Sequence, residues 1–84
     1  MIYFIQSESG PIKIGYSRSA TQKLANLQIC NLERLTLLGT VSGGRDKEAD
    51  LHERFADLAL GGEWFKANKD LLDYIKYSKE DLYE

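Results

Sequence analysis

Residues 2–17 have the sequence IYFIQSESGPIKIGYS, in which two apolar runs flank a turn-like segment. Residues 2–7 are rich in β-branched and aromatic side chains, which favour strands. Residues 12–17 alternate with a period of two, as in a strand with one buried face. The segment Glu8-Ser9-Gly10-Pro11 is typical of a turn. We therefore predict an N-terminal β-hairpin, in which the isoleucines of the second strand face away from its lysine and glycine.

The rest of the chain predicts three helices and further extended segments. Ser19 followed by Gln22 is a capping-box pattern, which opens a helix. The predicted elements are strands at 2–7 and 12–17, a helix at 19–30, a strand at 34–41, a helix from Asp46 to about Leu58, an extended piece at 63–66 and a helix starting at the Asn68 cap. This order, β-β-α-β-α-(β)-α, predicts an α+β fold with a small three-stranded antiparallel sheet flanked by helices.

Apolar spacing within these elements predicts the buried surfaces. On the third strand, Leu35, Leu37 and Val41 are expected to alternate toward the core across Gly39. On the second helix, apolar residues recur at Leu51, Phe55 and Leu58, which share one helical face.

The chain has 84 residues, a length that allows one domain. We expect a single domain over 1–84, with a core over about 1–77 and a polar tail at 78–84. One cysteine cannot form an intramolecular disulfide, and one cysteine with one histidine cannot assemble a Cys/His zinc site. We therefore expect a reducing, cytoplasmic setting. The N-terminal residues lack a basic start and a long apolar run, so we expect neither a signal peptide nor a membrane span.

The formal charge of −2 is unevenly distributed along the chain. Residues 1–47 carry six basic and three acidic residues, whereas residues 48–84 carry five basic and ten acidic residues. The basic half could present a surface to phosphate groups. The alternative is that a short chain divides its charges in this way by chance.

Several short motifs recur here in the order and spacing of a known family. They are Ile2-Tyr3-Phe4-Ile5, Ile12-Lys13-Ile14-Gly15, Lys23, Glu48 in the second helix and Gly62-Glu63-Trp64-Phe65. In this arrangement the chain resembles the GIY-YIG endonuclease superfamily, and within it a small group of phage and bacterial proteins with a K-I-G second strand and a G-E-W-F segment. The resemblance covers about residues 1–75 and implies the fold predicted above.

The resemblance implies hydrolysis of nucleic-acid phosphodiester bonds with one divalent metal ion, Mg²⁺ or Mn²⁺. Glu48 would be the metal ligand, and a lone carboxylate suffices for Mg²⁺. Tyr3 would act as a base or as a phenol that orients water. Its ordinary pKa of about 10 is too high for a base at neutral pH unless cations lower it, and we expect Lys13 and Lys23 to do so. These two lysines would also neutralise the phosphate.

Three further side chains are auxiliary candidates, each with an alternative structural role. His52 lies four residues after Glu48 and could contact the metal water or phosphate, or could pack or cap a helix. Tyr16 could reach the site or pack in the core. Arg18 could grip phosphate or remain a solvated loop residue. Apart from these three candidates, Glu63 could brace the site or cap the backbone nearby.

Lys23 departs from the wider family, in which this position is an arginine. Arginine binds phosphate through two parallel hydrogen bonds, whereas lysine offers a single compact charge. An alternative function is therefore a catalytically inactive domain of the same fold that binds nucleic acid or another protein.

The expected partner is nucleic acid, with DNA favoured over RNA, and we expect no membrane association. A chain of this length leaves no room for a separate recognition domain. Sequence specificity would therefore need a homodimer or a partner protein.

Overall fold

A five-stranded antiparallel sheet with helices on both faces makes up the fold. The structure is a computed structural model and describes residues 1–80. Its elements are β1 (Ile2–Ser7), β2 (Ile12–Tyr16), α1 (Ala20–Ile29), β3 (Leu35–Val41), α2 (Arg45–Arg54), a 3₁₀ turn (Ala56–Leu58), β4 (Ala59–Gly61), β5 (Trp64–Phe65) and α3 (Lys69–Ser78). The predicted α+β class is confirmed, but the sheet has five strands rather than three.

The N-terminal hairpin is confirmed and forms the middle of the sheet. The strand order is β3-β1-β2-β5-β4, so β1 is paired on both sides, with β2 and with β3. Tyr3 lies opposite Gly15, and Ile5 lies opposite Lys13. Opposed residues of an antiparallel pair point to the same face of the sheet. The side of the sheet that carries Tyr3 therefore also carries Lys13.

Strand alternation divides the core into two clusters, one on each face of the sheet. One cluster joins the sheet to α2 and α3, and its buried members are Ile2, Phe4, Ile12, Ile14, Val41, Leu51, Phe55, Phe65, Leu71 and Ile75. The smaller cluster joins the sheet to α1, and its buried members are Tyr3, Ile5, Ala20 and Leu35. Burial of these apolar side chains, at about 25 cal/mol per Å², is the main force holding the helices to the sheet.

A bulge in β3 changes one of the predicted faces. Phe4 pairs with Gly39, while the next residue, Ile5, pairs with Leu37, so Leu38 is an extra residue in the ladder. An extra residue reverses the alternation beyond it. Val41 therefore joins the α2 and α3 cluster, opposite Leu35, and the prediction that both share one face is wrong.

Two of the helix starts follow the capping signals in the sequence. The Ser19 side chain accepts a hydrogen bond from the Gln22 N–H at 3.2 Å, and the Asn68 side chain accepts one from the Leu71 N–H at 3.1 Å. The Gln22 amide, however, donates to Asn26 at 3.3 Å rather than folding back on the cap, so only half of the capping box forms.

The second helix differs from the prediction at both ends. It begins after Gly44, which has no side chain to cap it, so Asp46 lies inside the first turn rather than at the cap. There its carboxylate, like that of Glu48, is favoured by the helix dipole. The helix ends at Arg54, and the chain tightens into a 3₁₀ turn that leads into β4.

A tight glycine turn connects β4 to β5. Gly61 and Gly62 adopt φ angles of 135° and 57°, which side chains of L-residues disfavour. The turn is fixed to β2 because the Ile14 N–H donates to the Glu63 carbonyl at 3.0 Å. This places Glu63 beside β2.

Beyond α3 the chain returns to the sheet. The Glu80 N–H donates to the Thr40 carbonyl at 2.8 Å, and the Glu80 carboxylate accepts hydrogen bonds from the Ser42 N–H and hydroxyl at 2.8 and 2.6 Å. Of the predicted polar tail, residues 78–80 are thus in contact with the domain, and residues 81–84 lie outside the described residues. None of the helices within residues 1–80 has the length and apolar character to cross a membrane.

Candidate active site

The candidate site lies beside β2, at the point where its pairing with β5 ends. Strand β5 pairs with β2 only at Ile12 and Lys13. Further along β2, the Tyr3 ring extends across Gly15, and His52 of α2 approaches the Ile14 carbonyl. The turn before β5 supplies Glu63 at the same edge. Four segments of the chain therefore meet at one edge of the sheet.

Lys13 lies between an acidic and an aromatic side chain. Its Nζ is 3.2 Å from the Glu63 Oε1 and 5.5 Å from the centre of the Trp64 ring. The Lys13 side chain is only 16% exposed. The ammonium is consequently held at a fixed place, where both a carboxylate and the ring face stabilise its charge.

Tyr3 is buried and lies directly over Gly15. A Cβ atom added to Gly15 would be 2.3 Å from the Tyr3 hydroxyl oxygen and 2.4 Å from its Cζ atom. The absence of a side chain at Gly15 is therefore what allows the phenol to extend across β2. Glycine in a strand interior often marks such a close approach.

The pKa of Tyr3 moves in the direction opposite to the prediction. Burial raises the pKa of the Tyr3 hydroxyl to about 12, and the negative charges of Glu63 and Glu48 contribute to the rise. The expectation that Lys13 and Lys23 lower this pKa is therefore wrong, because carboxylates and burial outweigh the lysines. Tyr3 is thus a neutral phenol at physiological pH, able to donate and accept hydrogen bonds.

Glu48 is a buried carboxylate with an unsatisfied oxygen. The residue is 8% exposed, and its Oε2 atom is buried with no hydrogen-bond partner among the described residues. Its nearest basic side chains are at ion-pair rather than hydrogen-bond distance, namely Arg45 at 3.8 Å and His52 at 3.9 Å. Such an oxygen is costly unless a proton or a cation occupies it.

The environment of Glu48 favours its protonated form. Burial raises the pKa of the Glu48 carboxyl, a hydrogen bond to Glu63 and the charge of Glu63 raise it further, and His52 and Arg45 oppose the rise. Two carboxyl groups that share a hydrogen bond cannot both be ionised without repulsion. The negative charges of Glu48 and Glu63 therefore repel each other unless a positive ligand compensates them.

His52 packs under the site rather than facing it. Its Nε2 lies 2.8 Å from the Ile14 carbonyl oxygen, which can only accept, so Nε2 carries the proton. Its ring also packs on Phe65 at 5.1 Å between centroids. With its Nε2 engaged in this way, His52 links α2 to β2, which corresponds to the packing alternative in the sequence analysis.

The other candidate residues lie at varying distances from this cluster. Tyr16 packs against the larger core cluster, with the Arg45 guanidinium 5.2 Å from its ring centre. Arg18 is exposed in the segment between β2 and α1. Lys23 is half-buried on α1, one turn after the buried Ala20, and its N–H donates to Ser19. Among residues 1–80, neither Arg18 nor Lys23 makes an ion pair.

The structure thus brings Tyr3, Lys13 and Glu48 to one region, and it adds Glu63, which pairs with Lys13 and whose charge raises the pKa of both Tyr3 and Glu48. Sequence reasoning left the role of Glu63 open. The signal that pointed to it was its place in the Gly62-Glu63-Trp64-Phe65 motif. Over residues 1–80 there is no cluster of three or more His, Cys, Asp or Glu side chains that could enclose a metal ion. A metal ion here would have one or two carboxylate ligands, which is the pattern of Mg²⁺ sites.

The burial of Glu48 predicts a stability effect in metal-free buffer. A carboxyl whose pKa is raised from 4.5 in the folded state costs stability as the pH rises through that window. We expect Glu48→Gln to increase the free energy of unfolding by about 1 kcal/mol near neutral pH. The difference should shrink toward zero below pH 4.5, where the wild-type carboxyl is protonated in both states. Denaturant unfolding at several pH values measures it.

Glu53→Gln is the matched control, because Glu53 is exposed on the same helix. It should leave the unfolding free energy unchanged. A Glu48→Gln protein less stable than wild type at neutral pH in the absence of metal would contradict the assignment of a strained, unsatisfied carboxylate.

Comparison with known proteins gives one family match. The model of the T5orf172 domain family matches residues 1–78, nearly the whole chain. The search of curated proteins finds no match, and neither does the search of solved structures.

Proposed function

This chain belongs to the T5orf172 domain family, a phage domain family related to the GIY-YIG nucleases, and we propose that it is a metal-dependent endonuclease. Its reaction is the hydrolysis of phosphodiester bonds in nucleic acid, with DNA as the expected substrate. The ion is Mg²⁺ or Mn²⁺.

The observation that carries this proposal is the convergence of a phenol, an ammonium and a buried carboxylate at one edge of the sheet. Lys13 is paired with Glu63 at 3.2 Å, the Glu63 carboxylate raises the pKa of Glu48, and both carboxylates raise the pKa of the Tyr3 hydroxyl. Phosphodiester hydrolysis needs an oriented water, a cation for the phosphate and a metal ligand. These three side chains offer those functions from three separate segments.

Glu48 is the residue that would hold the metal ion. Its buried Oε2 lacks a hydrogen-bond partner within residues 1–80, and a divalent cation would satisfy it. When bound, the ion supplies Lewis-acid stabilisation of charge on the phosphate and the leaving oxygen. The neighbouring Arg45 is largely exposed, so it leaves the carboxylate accessible to a cation.

Tyr3 and Lys13 supply the remaining groups. Because its pKa is about 12, Tyr3 keeps its proton and orients water by hydrogen bonding rather than removing a proton from it. Lys13 presents a positive charge at the same edge, where it stabilises a phosphate oxygen. Lys23 on α1 adds a second positive charge along the basic N-terminal half, and it contributes to backbone binding.

A cleavage assay with Tyr3→Phe tests this function. Supercoiled plasmid, single-stranded DNA and RNA are incubated with the full chain in Mg²⁺ or Mn²⁺, and in EDTA. We expect metal-dependent cleavage by the wild type and a rate at least about 10-fold lower for Tyr3→Phe, which keeps the ring but loses the water-orienting hydroxyl. Gel quantification of nicked and linear products gives the rates.

Tyr77→Phe is the control, since Tyr77 is exposed on α3 and remote from the site. It should cleave at the wild-type rate. Equal rates for Tyr3→Phe and wild type would remove Tyr3 from the mechanism.

A catalytically inactive nucleic-acid-binding or protein-interaction domain is the second candidate. The pairing of Lys13 with Glu63 favours it, because the carboxylate partly neutralises the cation that a phosphate would need. Salt-dependent binding of nucleic acid without cleavage under any metal condition would establish this candidate in place of the nuclease.

A further inference from the structure

Glu63 occupies a position from which it can reach both members of the site. Its backbone carbonyl accepts the Ile14 N–H at 3.0 Å, which fixes the residue beside β2. Its side chain pairs with Lys13 at 3.2 Å, and its carboxylate raises the pKa of the Glu48 carboxyl. Ile14 also links the two glutamates, because its carbonyl accepts a hydrogen bond from His52, whose Nε2 is 3.9 Å from the Glu48 Oε2. The sequence offered no chemical role for this residue beyond bracing or capping.

The two carboxylates differ in exposure in a way that suits a cation entering from solvent. The Glu48 side chain is 11% exposed, whereas the Glu63 side chain is 38% exposed. The Glu48 carboxylate has one oxygen that is buried and has no hydrogen-bond partner in residues 1–80. The Glu63 carboxylate is the more exposed of the two and is open to water. A cation arriving from solvent would therefore meet the Glu63 carboxylate first and the unsatisfied Glu48 oxygen second.

The groups around Glu48 and Glu63 leave excess negative charge at Glu48. Tyr3 is neutral, and the His52 Nε2–H is donated to the Ile14 carbonyl. Arg45 approaches Glu48 only to 3.8 Å and is 79% exposed, so solvent screens its charge. Lys13 compensates one carboxylate alone. Two neighbouring carboxylates then share either a proton or a metal ion.

We propose that Glu63 is a second carboxylate ligand of the divalent cation bound by Glu48, so that the ion lies between α2 and the turn before β5. This inference rests on the proposed function, whose metal ion it places. With Glu63 engaged as a metal ligand, the Lys13 ammonium that it pairs with at 3.2 Å would be available to a phosphate oxygen.

Metal binding, measured without any substrate, tests the inference. The full chain is titrated with Mn²⁺ by calorimetry, together with Glu63→Gln, Glu48→Gln and the matched control Glu53→Gln. We expect Glu63→Gln to weaken Mn²⁺ binding by about 10- to 100-fold, Glu48→Gln to weaken it at least as much, and Glu53→Gln to bind as the wild type does.

Terbium luminescence gives a second readout that needs no variant at Glu63. Trp64 is the single tryptophan of the chain and adjoins Glu63, so Tb³⁺ bound by Glu63 should be sensitised by indole excitation. Mn²⁺ should displace it, and Trp64→Phe should abolish the emission while Mn²⁺ still binds.

The outcomes separate this inference from the proposed function. Unchanged Mn²⁺ affinity in Glu63→Gln with lost affinity in Glu48→Gln would overturn the role of Glu63 and leave the metal-dependent nuclease intact. Absence of Mn²⁺ binding by the wild type would overturn both. Absence of sensitised emission at saturating Tb³⁺ would also rule out an ion beside Glu63.

Discussion

Glu48→Gln is expected to reduce the rate of nucleic-acid cleavage by on the order of 100- to 1,000-fold. Glutamine preserves the shape of the side chain but removes the negative charge that binds a divalent cation. The loss therefore falls on the electrostatic stabilisation of the phosphate and the leaving oxygen. Initial rates in saturating Mg²⁺ and Mn²⁺ measure it.

Measuring the stability of the same variants separates a loss of catalysis from a loss of folding. Because Glu48 is buried and has an unsatisfied oxygen, the glutamine variant should be as stable as the wild type or more stable in metal-free buffer. Glu53→Gln, on the exposed side of α2, should retain full activity. Cleavage by Glu48→Gln within a few-fold of wild type would remove this residue as the metal ligand.

Gly15→Ala is expected to destabilise the fold by about 1–3 kcal/mol and to abolish cleavage as well. The new Cβ would lie 2.3 Å from the Tyr3 hydroxyl oxygen, far inside van der Waals contact. Tyr3 is 1% exposed, so its ring has no free space into which it can move. The substitution consequently displaces the phenol from the edge where Lys13 and Glu48 lie. Denaturant unfolding and the plasmid assay measure the two losses.

Gly44→Ala is the matched control, because a Cβ at Gly44 meets no atom within 4 Å. Its cost should stay below about 1 kcal/mol, since only a glycine helix cap is altered. A double-mutant cycle with Tyr3→Ala adds a second check. Removing the ring should relieve most of the cost of Gly15→Ala, and a cost that persists would assign the effect to the backbone instead.

Local signals in the sequence predicted the parts of the fold that depend on neighbouring residues. The hairpin of β1 and β2 follows from alternation around a turn, and the starts of α1 and α3 follow from Ser19 and Asn68. In each case the side chain that marks the element also makes the hydrogen bond or the packing contact that forms it. Such elements are predictable because the cause lies within a few residues.

The features that were missed depend on residues far apart in the chain. Strand β4 has three exposed residues and no alternation, and it exists because it pairs with Trp64 and Phe65. The bulge at Leu38 arises from fitting β3 to β1, whose residues are more than thirty positions earlier. The start of α2 at Gly44 reflects the path of the loop rather than the best capping side chain.

The candidate site likewise has features that the sequence predicted and features that depend on residues far apart in the chain. Motif order led to Tyr3, Lys13 and Glu48, and the structure places them together, while their chemical roles stay predictions. The predicted direction of the Tyr3 pKa was wrong because burial raises this pKa, and two carboxylates from the turn before β5 and from α2 raise it further. The contacts of Glu63 are equally non-local, since a glutamate in a turn carries no pattern of its own.

The central place of β1 in the sheet has a consequence for synthesis of the protein. The phenol lies on β1, which leaves the ribosome well before Glu48 of α2 and Glu63 of the turn before β5. Contacts of such high sequence separation form late in folding. The growing chain therefore carries an incomplete site until α2 and β5 have emerged.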